Sequence, residues 1–225
     1  MNTYLDGEGG VFMEKSYTKI YTTGTTVPLK IRPGHFATNH AHINYYIDVT
    51  TLKARTKEAE EVAQALVGMY LYDTVIDTIV CMEGTEVIGA FLAEELAKGG
   101  FLSTNAHKSI YVISPEFNNN SQIIFRDNLI PMIRDKHVMI LMASVTTGRT
   151  LNKAVESIQY YGGILQGASA IFSAMDSLDG VPIKSVFGKK DLPDYTYSDY
   201  RDCPLCKAGK KIDALVNTFG YSPMG

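Results

Sequence analysis

Four runs of apolar and β-branched residues constrain this chain most: Thr74–Met82 (TVIDTIVCM), Val138–Ala143 (VMILMA), Ile164–Ala174 and Val181–Phe187. Each is short, continuous and bounded by turn residues. That is the pattern of a strand buried on both faces rather than on one. Ser109–Ser114 (SIYVIS) adds a shorter example. Between these runs the periodicity is helical. Residues 52–71 place Leu52, Ala59, Val62, Ala63, Leu66 and Met69–Tyr70 on one face. Val87–Lys98 reads as a second helix ended by Gly99-Gly100, and Thr150–Tyr161 as a third closed by Gly162-Gly163. Buried strands that alternate with helices predict an α/β fold, a doubly wound parallel sheet covered on both faces.

The ends of the chain read differently. Residues 1–50 mix aromatics, Gly, Thr and histidines, with alternation such as Ile43–Val49, and predict short strands and loops. Pro115–Arg126, which contains N-N-N, reads as an exposed hairpin or loop, and residues 189–202 as a surface connection. Gly209–Phe219 predicts a final amphipathic helix with Ile212, Leu215 and Val216 on one face. The expected division is an N-terminal segment (1–50), an α/β core (51–190) and a Cys-containing helical extension (191–225).

Composition removes several function classes. Lys and Arg number 21 against 24 Asp and Glu, a net charge of −3, so no basic surplus points to nucleic acid or an anionic membrane as partner. The start of the chain, MNTYLDGEGGVFMEKSYTK, has neither the basic region nor the apolar core of a signal peptide. No apolar run approaches the ~18 residues needed to span a bilayer. A cytoplasmic protein is expected, and three cysteines make no disulfide framework.

Chemistry concentrates in Val138–Leu151 (VMILMASVTTGRTL), where a buried strand enters a T-T-G-x-T loop that opens a helix. Thr146, Thr147, Gly148, Arg149 and Thr150 supply backbone N–H groups, hydroxyls, one positive charge and a helix N-terminus, an arrangement suited to a phosphate. In an α/β sheet such a loop lies at the carboxyl ends of the strands, where ligands bind. Ser or Thr before a helix is also an ordinary N-cap, and the loop alone leaves both readings open.

Strand, T-T-G-x-T and helix together resemble the phosphoribosyl-diphosphate motif of type I phosphoribosyltransferases. Thr74–Met82 followed by Glu83-Gly84-Thr85-Glu86 and Ile88-Gly89 resembles that family's first core strand and diphosphate loop. The loop after Ser109–Ser114 falls where the family has its flexible catalytic loop. Pro33-Gly34-His35 and Ile43-Asn44-Tyr45-Tyr46-Ile47-Asp48 resemble the N-terminal hood of orotate phosphoribosyltransferases. The resemblance covers about residues 25 to 190. It implies a phosphoribosyltransferase fold with a hood, a homodimer, and a ligand that is a nucleoside monophosphate or phosphoribosyl diphosphate, with Mg²⁺ where catalysis operates.

Two departures bear on activity. The family motif has two adjacent acidic residues before its loop, serving the ribose hydroxyls and the metal. Met142 and Ala143 stand at those positions. Neither accepts a hydrogen bond from a hydroxyl or holds Mg²⁺ through oxygen. The flexible loop normally brings basic residues to the diphosphate, whereas Ser114-Pro115-Glu116-Phe117-Asn118-Asn119-Asn120 has none before Arg126. Phosphoribosyl transfer is therefore expected to be weak or lost, with Glu83 or Glu86 left to serve a metal. The rivals are a non-catalytic nucleotide-binding regulatory protein and a zinc-stabilised structural subunit.

Cys203 and Cys206 form C-P-L-C, the spacing of a zinc knuckle, which provides half of a four-ligand site. His35, His40, His42, Cys81, His107 or a second chain are candidates for the other half. A redox pair at a helix start and two free thiols are the alternatives. His40 and His42, in N-H-A-H, share a face if extended, and could line a pocket, bind metal or be merely solvated.

Overall fold

The chain begins with β1 (Thr18–Ile20), β2 (Leu29–Ala37) and β3 (His42–Asp48), then helices α1 (Thr50–Ala54) and α2 (Thr56–Val67). Next come β4 (Thr78–Cys81), α3 (Glu86–Lys98), β5 (Tyr111–Ile113) and a hairpin of β6 (Glu116–Phe117) and β7 (Ile123–Ile124). They are followed by β8 (His137–Val145), α4 (Arg149–Tyr160), β9 (Ile164–Ser173), β10 (Ser177–Leu178) and β11 (Val181–Gly188). The last elements are β12 (Tyr197–Ser198), α5 (Pro204–Lys207), β13 (Ala214–Asn217) and β14 (Gly220–Pro223). This is a computed structural model that describes residues 17–98, 103–106, 109–218 and 220–224.

Five strands pair in parallel in the order β11-β9-β8-β4-β5, with β10 antiparallel on the β11 edge. Side chains alternate between two cores. Ile79, Cys81, Met139 and Leu141 pack with Val62 and Leu66 of α2 and Ile88 and Leu92 of α3. Val80, Met82, Ile140 and Met142 pack with Leu151, Ala154 and Ile158 of α4. Both faces of the sheet are therefore dry, which is why these strands are continuous apolar runs. A Cβ on Gly89 would run into the Cys81 sulfur, so glycine lets α3 lie close on the sheet. Strand order reverses between β4 and β8, and such a switch point leaves a crevice at the carboxyl ends of the strands.

A second sheet runs β12-β3-β2-β13-β14, with β1 on β2. The N-terminal and C-terminal segments thus build one sheet. The helix expected over residues 209–219 is replaced by two strands: β13 pairs in parallel with β2 and antiparallel with β14. Ala214 is buried, Leu215 exposed and Val216 half-buried, so an open edge on β2 decides the matter over helical spacing. Residues 189–202 are more than a surface connection, because Leu192 and Tyr195 are buried and the Tyr195 ring meets Phe172 edge-on at 5.1 Å. The helical stretch at 52–71 is two helices, broken where Arg55 adopts an extended conformation. Gly99, Gly100 and Phe219 lie outside the described residues. Among the described residues no helix is long and apolar enough to cross a membrane.

Candidate functional site

The loops after β4 and β8 meet at the switch point. The β2–β3 turn and the β13–β14 turn close over them, and the four segments line one cleft. Tyr195, reaching in from the segment before β12, completes it.

The loop after β8 contributes Thr146, Thr147, Gly148, Arg149 and Thr150 together. Gly148 caps α4 in the left-handed region at φ +75°, which turns the chain sharply into the helix. The first-turn N–H groups of a helix have no partner within it, and twelve residues of α4 align their dipoles behind them. Thr146 Oγ1 is hydrogen-bonded to the Tyr195 hydroxyl at 3.0 Å. Burial pushes the Tyr195 phenol up to about 12, so it remains protonated. Across this loop stands His40, whose pKa is lowered by burial and by the positive charges of Arg149 and Lys153.

The loop after β4 presents Glu83, in the left-handed region at φ +61°. Its carboxylate Oε2 accepts the Ser144 backbone N–H at 3.3 Å, spanning the switch point to the strand that carries Met142 and Ala143. Lys53 Nζ donates to the Glu83 carbonyl at 2.6 Å and to the Thr218 carbonyl at 3.4 Å. Thr85 is buried and donates to the Met82 and Leu141 carbonyls at 2.9 and 3.0 Å, fixing the loop to β8. Glu86 accepts the Ser114 hydroxyl at 2.6 Å. Of the four loop candidates, Glu83 lines the cleft, and Gly84, Thr85 and Glu86 do not. Met142 and Ala143 line its floor but are 1% and 5% exposed.

Burial raises the Glu83 pKa, opposed by the Ser144 N–H, the Lys53 charge and the Ala143 N–H. A carboxyl whose folded-state pKa is raised opposes folding once it ionises, so its cost is absent below the unfolded value near 4.5 and full above the folded one. Glu83→Gln is therefore expected to raise Tm at pH 8 and leave it unchanged at pH 4, as read by thermal denaturation at the two pH values.

The hairpin β6–β7 follows β5, in the stretch expected from the sequence as an exposed hairpin or loop. Asn118 Oδ1 accepts the N–H groups of Asn120 and Gln122 at 2.9 Å, closing the turn. The hairpin docks on α4, with Ser157 Oγ donating to the Ile123 carbonyl at 3.1 Å. Arg126 is paired with Glu116 at 2.6 Å, and no residue of 109–126 lines the cleft.

A second constellation lies on the hood sheet. His35, His42, Cys203 and Cys206 bring their ligand atoms within 4.8 Å of one another, a group that could hold a metal ion. His35 Nε2 is 3.1 Å from His42 Nδ1, 3.5 Å from Cys203 Sγ and 3.7 Å from Cys206 Sγ. Cys206 Sγ is 3.2 Å from His42 Nδ1. His35 Nδ1 lies 2.8 Å from the Lys210 carbonyl, which makes Nδ1 the protonated nitrogen and frees Nε2. The other candidates are elsewhere. His40 turns into the cleft because Thr38–Ala41 is a tight turn rather than extended chain, so it does not share a face with His42. Cys81 is buried under α3, and His107 lies outside the described residues. Sequence reasoning missed Lys53, Ser144 and Tyr195. Lys53 has the sequence signature of an ordinary solvated helix face, and Tyr195 is one of three tyrosines in a largely polar segment, with nothing in the sequence to set it apart.

No protein-family model matches the sequence, and no curated protein matches it. The architecture defines the class: this chain has the phosphoribosyltransferase fold. It is similar to the phosphoribosyltransferase of Corynebacterium diphtheriae at 14% identity and TM-score 0.52, covering 72% of this chain and 90% of that one. It is also similar to the UMP synthase of Leishmania donovani at 18% identity and TM-score 0.52, covering 72% of this chain and 34% of that one.

Proposed function

We propose that the chain is an orotate-phosphoribosyltransferase-like protein that binds a phosphorylated ribose compound, with phosphoribosyl transfer weak or lost. The observation that carries this reading is the Thr146–Thr150 loop at the N-terminus of α4, open to a cleft at the switch point. A 5′-phosphate there meets the first-turn N–H groups, the threonine hydroxyls and Arg149. Glu83, reaching the strand of the replaced acidic pair through Ser144, is the carboxylate available to a ribose hydroxyl or, weakly, to Mg²⁺. The ligand class is a nucleoside monophosphate or phosphoribosyl diphosphate of pyrimidine metabolism, in a cytoplasmic homodimer.

Transfer of a 5-phosphoribosyl group to a base needs the departing diphosphate neutralised as its charge develops. Buried Met142 and Ala143 give no charge, and Arg126 is held by Glu116 on a hairpin outside the cleft. A charge-assisted contact to a ribose hydroxyl is worth ~1.5–3 kcal/mol. With the basic loop also missing, the deficit exceeds about 5 kcal/mol, nearly four decades in rate. That absence favours a second reading, a nucleotide-binding regulatory protein without turnover. For the His/Cys cluster we infer Zn²⁺, because thiolate and imidazole donors suit it and not Mg²⁺.

Thr147→Val keeps the shape of the loop and removes one hydroxyl. It is expected to weaken orotidylate binding by ~1–3 kcal/mol in isothermal titration. The unmodified protein is expected to form orotidylate from orotate at close to the background rate. Equal affinity in the variant would remove the phosphate assignment, and brisk orotidylate formation would establish an enzyme.

A further inference from the structure

We propose that His35, His42, Cys203 and Cys206 form a closed structural Zn²⁺ site whose ion braces two neighbouring parts of the ligand cleft, making phosphate-ligand affinity zinc-dependent. The coupling rests on the cleft reading above, and the site itself does not.

The donor geometry carries the first step. Zn–N bonds near 2.0 Å and Zn–S bonds near 2.3 Å place tetrahedral ligand atoms roughly 3.3 Å apart for N–N and roughly 3.5 Å for N–S. The observed separations are 3.1 Å between the two nitrogens and 3.2, 3.5 and 3.7 Å between nitrogen and sulfur. Four of the six edges thus match a zinc-sized tetrahedron, and all four ligand atoms lie within 4.8 Å of one another. Four protein ligands leave no open position, so the ion is structural rather than catalytic. The Lys210 carbonyl orients His35, as an outer-shell partner of a ligating histidine does. Asp213 adds a clamp, accepting the His35 backbone N–H and donating its own N–H to the His35 carbonyl, each at 2.7 Å.

The second step is where these residues lie along the chain. His35 and His42 bracket the β2–β3 turn, from which Thr38, Asn39 and His40 line the cleft. The cysteines lie on and before α5, and the chain then runs through Lys210 and Asp213 into β13. Val216 and Asn217 of β13 and Thr218 after it line a neighbouring part of the same cleft. Besides the Lys210 and Asp213 contacts to His35 and the bonds of Asn44 to Asp194 and Thr196, short strand pairings tie the cysteine segment down. β12 meets β3 through two residue pairs, and β13 meets β2 through two more. The four residues of α5 are too few to hold a helix alone. An ion joining residues 164 positions apart closes a long loop and fixes both parts of the cleft at once. Ligand binding and zinc binding then strengthen each other by the same factor.

The test uses the full-length protein purified without chelator, then stripped and reloaded with Zn²⁺. One zinc per chain is expected by mass spectrometry. Stripping should speed amide exchange in residues 38–41 and 214–218 while β4 and β8 stay protected. Orotidylate affinity should fall about tenfold or more and return with zinc. Cys206→Ser, whose side chain is exposed, should behave as the stripped protein. A metal-free native protein with freely titrating thiols overturns the site. Zinc binding that changes neither exchange nor orotidylate affinity overturns the brace and leaves the cleft reading standing. Zinc-dependent protection without orotidylate binding upholds the brace and overturns the cleft reading with the coupling built on it.

Discussion

Met142→Asp is expected to destabilise the chain by on the order of 4 kcal/mol instead of restoring half of an acidic pair. Met142 is 1% exposed and packs with Val80, Met82, Leu151 and Ala170 beneath α4. An aspartate there is either ionised without a partner or protonated at a penalty, and it leaves a methionine-sized void. A loss of that size is a large share of the ~5–15 kcal/mol that holds a domain together. Urea unfolding reads it directly. An unchanged midpoint would mean that position 142 reaches solvent and that the apolar floor of the cleft tolerates charge.

Gly148→Val is expected to damage both fold and site. Gly148 stands at φ +75°, and an added Cβ would lie 2.9 and 3.0 Å from the two Leu178 methyl carbons. A β-branched residue in the left-handed region, together with overpacking against β10, should cost about 2–5 kcal/mol. The chain is expected to relieve this by moving the start of α4, which would displace the N–H groups proposed to meet the phosphate. Two or more charge-assisted contacts of ~1.5–3 kcal/mol each are lost, so affinity should fall more than 100-fold. Calorimetric titration with orotidylate and thermal unfolding of the same sample measure the two effects together. A stable variant with intact affinity would show that the loop does not hold the ligand.

The core was legible because its signal is local. Val138–Ala143 and Ile164–Ala174 are apolar on both faces, and the α4 face follows helical spacing, so strand and helix could be told apart from the residues alone. The Thr146–Thr150 turn from strand into helix was legible for the same reason, as one continuous segment. Contacts set by distant chain were not. Leu215 and Val216 satisfy a helical pattern, but β2 offered an unpaired edge, and pairing with it decided the structure. The cysteines announced half of a cluster that could hold a metal ion. Its other half arrives from histidines whose approach depends on the β2–β3 hairpin, including an irregularity in register between Pro33 and Phe36. Glu83 drew attention as part of a loop. Its reach across the switch point to Ser144 follows from strand order, which no stretch of sequence displays.

Amide resonances of residues 146–150, followed while orotidylate is titrated into ¹⁵N-labelled protein without Mg²⁺, report whether the loop holds the ligand's phosphate. Large, saturable shifts are expected at Thr147, Gly148, Arg149 and Thr150, smaller ones at Glu83 and Ser144, and the same loop pattern with inorganic phosphate at higher concentration. Saturable binding that leaves those four amides unmoved, or no binding of either probe, would contradict the phosphate assignment.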